Sequence, residues 1–254
     1  MLTIRIHTIS HRRRVILHDV AFTASPGTFT TVIGRNGCGK STLLSAIGGI
    51  LPYAGSVTLD GNELSAMTPR ERARKISLML QMLRSPHVTV EELVAFGRHP
   101  WRSTGESMTE ADREAAQNAI RDAELTDLRH CYVDRISGGE QRRAHLGMQL
   151  AQDTPVMLLD ESTAFMDADH EGHFLTLLRE LCVRRNKTVV TVMHSMENAL
   201  RFSDQAVLLD GGTVRFAGSP AQLLETSLIE DVFGLRRYCG TDETGSPRVF
   251  FSSE

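Results

Sequence analysis

The sequence predicts an α/β protein: a mostly parallel β-sheet covered by helices on both faces and interrupted by one mainly helical insertion. Three observations lead there. Short apolar runs recur along the chain, helical stretches separate them, and the 254 residues combine 41% hydrophobic with 23% charged content. Continuous apolar runs of five or so residues suit strands buried on both faces, and their alternation with helices suits a single doubly covered sheet. Length and balance favour one large core with a subdomain over a disordered chain.

The elements follow in order. FTTVI (29–33) is a β-rich run that stops at Gly34, and residues 39–50 read as the helix after it. ISLML (76–80) is the second strand. Residues 85–154 then change character and read as the helical insertion; within them MTEADREAAQNAIRDAELTDL (108–128) opens on Thr109 as an N-cap and carries alanines and Ile120 at helical spacing. VMLLD (156–160), TVVTVM (188–193) and QAVLLD (205–210) return to the sheet, and DGGTVRFAG (210–218) is a turn leading into a short edge strand. This divides a single domain, 1–254, into a core of 1–84 and 155–225, the insertion, and a tail of 226–254 that is too short to fold as a separate domain. There is no internal repeat.

Composition narrows the partners. With Lys+Arg 28 against Asp+Glu 31 the formal net charge is -3, which makes no electrostatic case for coating nucleic acid or anionic lipid. The basic run at 12–14 reads as a solvated turn. The N-terminus lacks the apolar core of a signal peptide and no run is long enough to cross a bilayer, so a cytosolic chain is expected, with any membrane role exercised through a partner. Four cysteines without metal-ligand or redox spacing suit a reducing compartment.

The first chemical motif is GRNGCGKST (34–42), which matches G-x-x-x-x-G-K-[ST] directly after a strand and at the head of a helix. Gly34, Gly37 and Gly39, with Asn36, Cys38 and Thr42 around them, let backbone N–H groups converge on phosphate oxygens. Lys40 adds a cation at the outer phosphates, and the Ser41 hydroxyl can ligate Mg²⁺. Amides turned toward phosphate would also lower a thiol pKa, so Cys38 is either a reactive thiol or a small residue that fits the loop. The second motif, VMLLDE (156–161), delivers two carboxylates to the carboxyl end of a strand, where open α/β sheets bind ligands. Asp160 can hold the magnesium, and Glu161 can orient or deprotonate the attacking water. Together these features imply a nucleoside triphosphatase.

A second serine-glycine-glycine turn, Ser137, Gly138 and Gly139 ahead of Glu140, opens another helix whose N-terminus favours phosphate. One nucleotide leaves no obvious room for two such ends from one chain, so this turn serves a different nucleotide. Here the chain resembles the ATP-binding cassette family, whose LSGGQ signature stands as ISGGE (136–140). The resemblance implies a P-loop NTPase core of RecA type with an antiparallel β part and an inserted helical subdomain. It further implies a head-to-tail pair of cassettes in which Ser137 and Gly139 contact the γ-phosphate held by the partner's phosphate loop. Gln81 matches the glutamine that senses Mg²⁺ and γ-phosphate, His194 the switch histidine, and Asp167 the aspartate that couples the two sites.

The chain departs from the family's usual pattern in several places. His11 takes the place of the aromatic residue that stacks on adenine, Ser162 replaces the proline after the glutamate, and AFMD (164–167) replaces SALD. Glu140 stands for glutamine, at a helix start that favours an acid. HEGH (170–173) puts two histidines on one helix without a third ligand and reads as a solvated face. Finally, ELVAFGRHPW (92–101) resembles a segment of cassettes from bacterial importers of ferric siderophores, with haem and cobalamin importers as relatives. That resemblance implies an ATPase at the cytoplasmic face of the membrane, bound to two permease subunits and served by an extracytoplasmic substrate-binding protein.

Overall fold

The apolar runs of the sequence become the middle of a six-stranded sheet. In this computed structural model, which describes residues 1–11, 14–81, 85–103, 105–163, 168–241 and 247–252, that sheet comprises β3 (Phe29–Ile33), β6 (Ile76–Met79), β7 (Val156–Asp160), β8 (Thr188–Val192), β9 (Gln205–Asp210) and β10 (Thr213–Gly218). They lie in the order β10-β9-β3-β8-β7-β6, and all pairings are parallel except that of β10 with β9. Every residue of β3, β7 and β8 is buried. That is why these strands carry no alternation of apolar and polar residues; Thr30, Thr31, Thr188 and Thr191 are buried with their apolar neighbours.

A second, antiparallel sheet supplies the expected β part. It is built from β1 (Leu2–His11), β2 (Arg14–Ala24), β4 (Ala54–Leu59) and β5 (Asn62–Glu63), in the order β2-β1-β4-β5. One face of β1 (Leu2, Ile4, Ile6, Ile9) closes over helix α1 (Lys40–Ile47), whose Leu43, Leu44 and Ile47 also meet Leu158 and Val190 of the larger sheet. Helix α1 is therefore clamped between two sheets, and the phosphate-loop turn at its head is clamped with it. The helix stops at Ile47, three residues short of expectation, because Gly48 and Gly49 follow and Gly49 is left-handed (φ 80°). Short α2 (Pro69–Ala73) then leads into β6.

Between β6 and β7 the chain forms α3 (Val90–Phe96), α4 (Glu110–Asp122) and α5 (Gly138–Gln152). Their inner faces make a separate apolar cluster that includes Val90, Val94, Ala116, Ile120 and Ala144. Thr109 caps α4 as its sequence position implies, in a reciprocal box with Asp112. The opposite face of the large sheet is covered by α6 (Ala168–Arg185), α7 (Met196–Phe202), α8 (Pro220–Leu224) and α9 (Leu228–Phe233). Phe174 of α6 and Phe29 are fully buried there, each contributing on the order of 1.5–3 kcal/mol by burial. The tail ends in an antiparallel hairpin of β11 (Arg236–Thr241) and β12 (Pro247–Ser252), with Phe251 against the same cluster.

Candidate active site

Parallel strands share a direction, so the carboxyl ends of β3, β6, β7 and β8 lie along one edge of the sheet. The segments that leave these ends carry the phosphate loop, Gln81, the pair Asp160 and Glu161, and His194. They line one cleft of about 490 Å³, whose walls include Lys40, Ser41, Gln81, Glu161 and His194.

The loop is built for close backbone approach. Gly39 caps α1 in a left-handed conformation (φ 106°), and a Cβ there would stand 2.5 Å from Leu17 Cδ2. Gly37 is left-handed too (φ 79°), with open space where a side chain would point. Lys40 is buried and spans the loop from within, its Nζ donating to the carbonyls of Gly34 (2.8 Å) and Arg35 (3.1 Å). Asn36 and Thr42 complete the rim. Cys38 does not line this cleft. Burial pushes its thiol up, more strongly than the charge of Lys40 draws it down. Of the two readings of Cys38 the packing favours the small residue that fits the loop: Cys38 packs against the core cluster.

Asp160 is 3% exposed at the end of β7 and accepts a 3.0 Å hydrogen bond from the Ser41 hydroxyl. Burial raises its carboxyl above the ordinary range, with the Ser41 bond acting in the opposite sense and the neighbouring Glu161 adding to the rise. A desolvated carboxylate beside a hydroxyl is a pair of hard oxygen donors, and that chemistry fits Mg²⁺. Among the described residues no cluster of three or more His, Cys, Asp and Glu side chains could hold a metal ion.

Glu161 is buried too, and its backbone is left-handed (φ 49°), a costly conformation for a residue with a side chain. The turn directs its carboxylate into the cleft, where one oxygen accepts from the Gln81 amide and the other lies 2.7 Å from His194 Nε2. Glutamine, glutamate and histidine thus form one contiguous group facing Lys40 and Ser41.

The second glycine turn lies apart from this group. Ser137 caps α5 in a reciprocal box with Glu140, whose carboxylate accepts from the Ser137 N–H and hydroxyl at 2.8 Å each. The Ser137 bonds hold the Glu140 carboxyl below the usual range. Among the described residues, nothing lies within 4 Å of where a Cβ on Gly138 would stand, and an edge of His170 lies 3.8 Å from that on Gly139. None of the four residues lines the cleft. His11 ends β1 with its backbone paired to Arg14; its side chain lies outside the described residues, as do Asp167 and most of the basic run at 12–14. Ser162 is buried, 1% exposed. His170 and His173 are exposed on α6 as expected, His173 reaching Glu124.

Two residues escaped the sequence reading. Ile16, in β2, forms an apolar wall of the cleft, and nothing in the local pattern of an exposed strand marks it. Arg142, on the second turn of α5, donates from Nη1 to the Glu161 carbonyl oxygen at 3.3 Å.

A family model described as ABC transporter matches residues 17–164, more than half of the chain. This chain belongs to the ABC transporter family. The cassette is accordingly an ATP-binding and ATP-hydrolysing protein. Its curated relatives include the achromobactin transport ATP-binding protein of Dickeya dadantii (strain 3937), 35% identical over 92% of this chain and 88% of the relative. They also include the ferric enterobactin transport ATP-binding protein of Escherichia coli (strain K12), 36% identical over 90% of this chain and 85% of the relative. Among solved structures, a dimeric bacterial ABC transporter cassette superposes with a TM-score of 0.73 at 26% identity, covering 87% of this chain and 99% of its own. Among the described residues no helix is long and apolar enough to cross a membrane.

Proposed function

We propose that the cassette is the ATP-hydrolysing subunit of a bacterial importer that takes up an iron chelate of the ferric siderophore class. The observation that carries this reading is the joint one: a hydrolytic group of Glu161, Gln81 and His194 facing the phosphate loop, in a chain whose relatives over nine-tenths of its length are named for siderophore transport. In this reading it sits peripherally at the cytoplasmic face of the membrane. It pairs with a second cassette, probed below as a homodimer, and docks on two permease subunits served by an extracytoplasmic binding protein. Nucleic acid has no part in it.

The residues divide the work. Lys40 and the amides from Gly34 to Thr42 hold the phosphates, and Ser41, Asp160 and Gln81 would hold Mg²⁺, which when bound neutralises charge on the outer phosphates. Glu161 accepts the proton of the attacking water at a carboxylate oxygen. His194, hydrogen-bonded to that carboxylate, orients it and stabilises the phosphoryl oxygens. Ser137 and Gly139 complete the partner's site and Asp167 couples the two; the signature turn's separation from this chain's own cleft supports that division.

The test is uptake of radiolabelled iron, offered on a panel of siderophores, by iron-starved cells whose only copy is the intact protein or Glu161→Gln. Loss of uptake for one chelate in the variant is the expected result, with hydrolysis reduced about 10²–10⁴-fold and ATP binding retained. Unchanged uptake across the panel moves the cargo to haem or cobalamin. A variant that hydrolyses ATP as fast as the parent removes Glu161 from the chemistry.

A further inference from the structure

Helix α5 is attached to the hydrolytic group of its own chain at Arg142. Its neighbour Gln141 accepts a 2.6 Å hydrogen bond from the Ser85 hydroxyl and donates to the Ile136 carbonyl at 3.0 Å. Arg142, half-buried, reaches across to the carbonyl oxygen of Glu161. That carbonyl belongs to a residue whose left-handed backbone costs on the order of 1–3 kcal/mol and persists only where its surroundings hold it. The peptide's orientation sets where the Glu161 carboxylate points, and so whether it meets Gln81 and His194 together.

We propose that Arg142 is a positioning residue for ATP hydrolysis: its guanidinium holds the Glu161 peptide in the left-handed conformation that aims the carboxylate at the attacking water. The assignment rests on the reading of Glu161 as the base. A charge-assisted hydrogen bond from a planar, multi-donor group to a carbonyl is stronger than a neutral one and fixes direction as well as distance. Arg142 does not itself line the cleft and reaches the site only through the main-chain carbonyl of Glu161, so its contribution is to the turnover step and not to nucleotide binding.

The experiment compares Arg142→Ala and Arg142→Lys with the parent, as purified full-length chains, by steady-state phosphate release and by binding of a non-hydrolysable ATP analogue. Arg142→Ala is expected to lower kcat at least about tenfold while KM and analogue affinity stay within about twofold. Arg142→Lys, which restores one charged donor, recovers part of kcat. The same substitution in a Glu161→Gln background should leave ATP-driven pairing of cassettes intact, because the signature turn is untouched. Three results would each overturn the proposal: parental kcat in a folded Arg142→Ala, a loss shared equally between KM and kcat with no recovery by lysine, or loss of pairing in the double variant. Failure of the Glu161 assignment is read separately, from the hydrolysis rate of Glu161→Gln alone.

Discussion

A Cβ on Gly34 would stand 2.2 Å from the Leu209 carbonyl oxygen and 2.7 Å from Cys38 Sγ. The first of these neighbours is backbone of β9, paired with Val214 of β10, so it cannot move aside as a flexible side chain would. Gly34→Ala is therefore expected to displace the loop away from β9. Because the Gly34 carbonyl also anchors Lys40, that shift reaches the phosphate cation. ATP affinity should fall at least about tenfold, or roughly 1.4 kcal/mol, with little loss of thermal stability; a calorimetric titration that returned parental affinity would show that the loop can relax. The motif's glycines and lysine were legible at this scale because their chemistry needs a fixed spacing. Ile16 and Arg142 were not, because each acts through a contact closed by tertiary structure: an isoleucine on a half-exposed strand and an arginine on a polar helix face are what any surface would carry.

Among the elements, α4 depends on one buried ion pair. Arg98 Nε donates to Asp112 Oδ1 at 2.9 Å, with side chains 12% and 7% exposed, and Arg98 also reaches the Ala151 carbonyl at the end of α5. The other oxygen of Asp112 accepts from the Thr109 N–H and hydroxyl. One carboxylate thus caps α4 and ties it, through Arg98, to α3 and α5. Asp112→Ala leaves a buried guanidinium and an open helix start, and should cost about 3–5 kcal/mol, read as a lower denaturation midpoint. Burial works to raise the Asp112 carboxyl, but the bonds from Thr109 and Arg98 outweigh it and hold the group below its ordinary value. A depressed folded-state pKa gives stability that is complete above the unfolded value and is lost as pH falls toward the folded one. The parent should accordingly lose stability below about pH 4 more steeply than Asp112→Asn, and parallel acid limbs in the two proteins would refute this. The alternation of apolar and polar residues in LTIRIHTIS (2–10) was the available sign of the antiparallel sheet. The unbroken strands of the central sheet stood out more because both their faces are buried. The hairpin of β11 and β12 shows neither pattern.

At the scale of the whole molecule, the two phosphate-seeking helix starts in one chain do not meet. The start of α1 lies in the cleft, while that of α5, with Ser137 as cap and Gly138 and Gly139 unobstructed, lies outside it. A helix N-terminus favours an anion, and a similar cassette is solved as a dimer. A nucleotide shared between two chains stabilises their association by mass action, and hydrolysis removes that stabilisation. Light scattering on the full-length Glu161→Gln protein should therefore show a mass near twice the chain's 28.1 kDa with ATP and the single-chain mass with ADP. Adding Ser137→Ala, which removes the cap and one phosphate partner, should weaken the ATP-bound pair while leaving nucleotide binding to the isolated cleft unchanged. A protein that binds ATP with full affinity and stays single at every concentration would mean that the second turn serves some other anion, and the head-to-tail arrangement would fall with it.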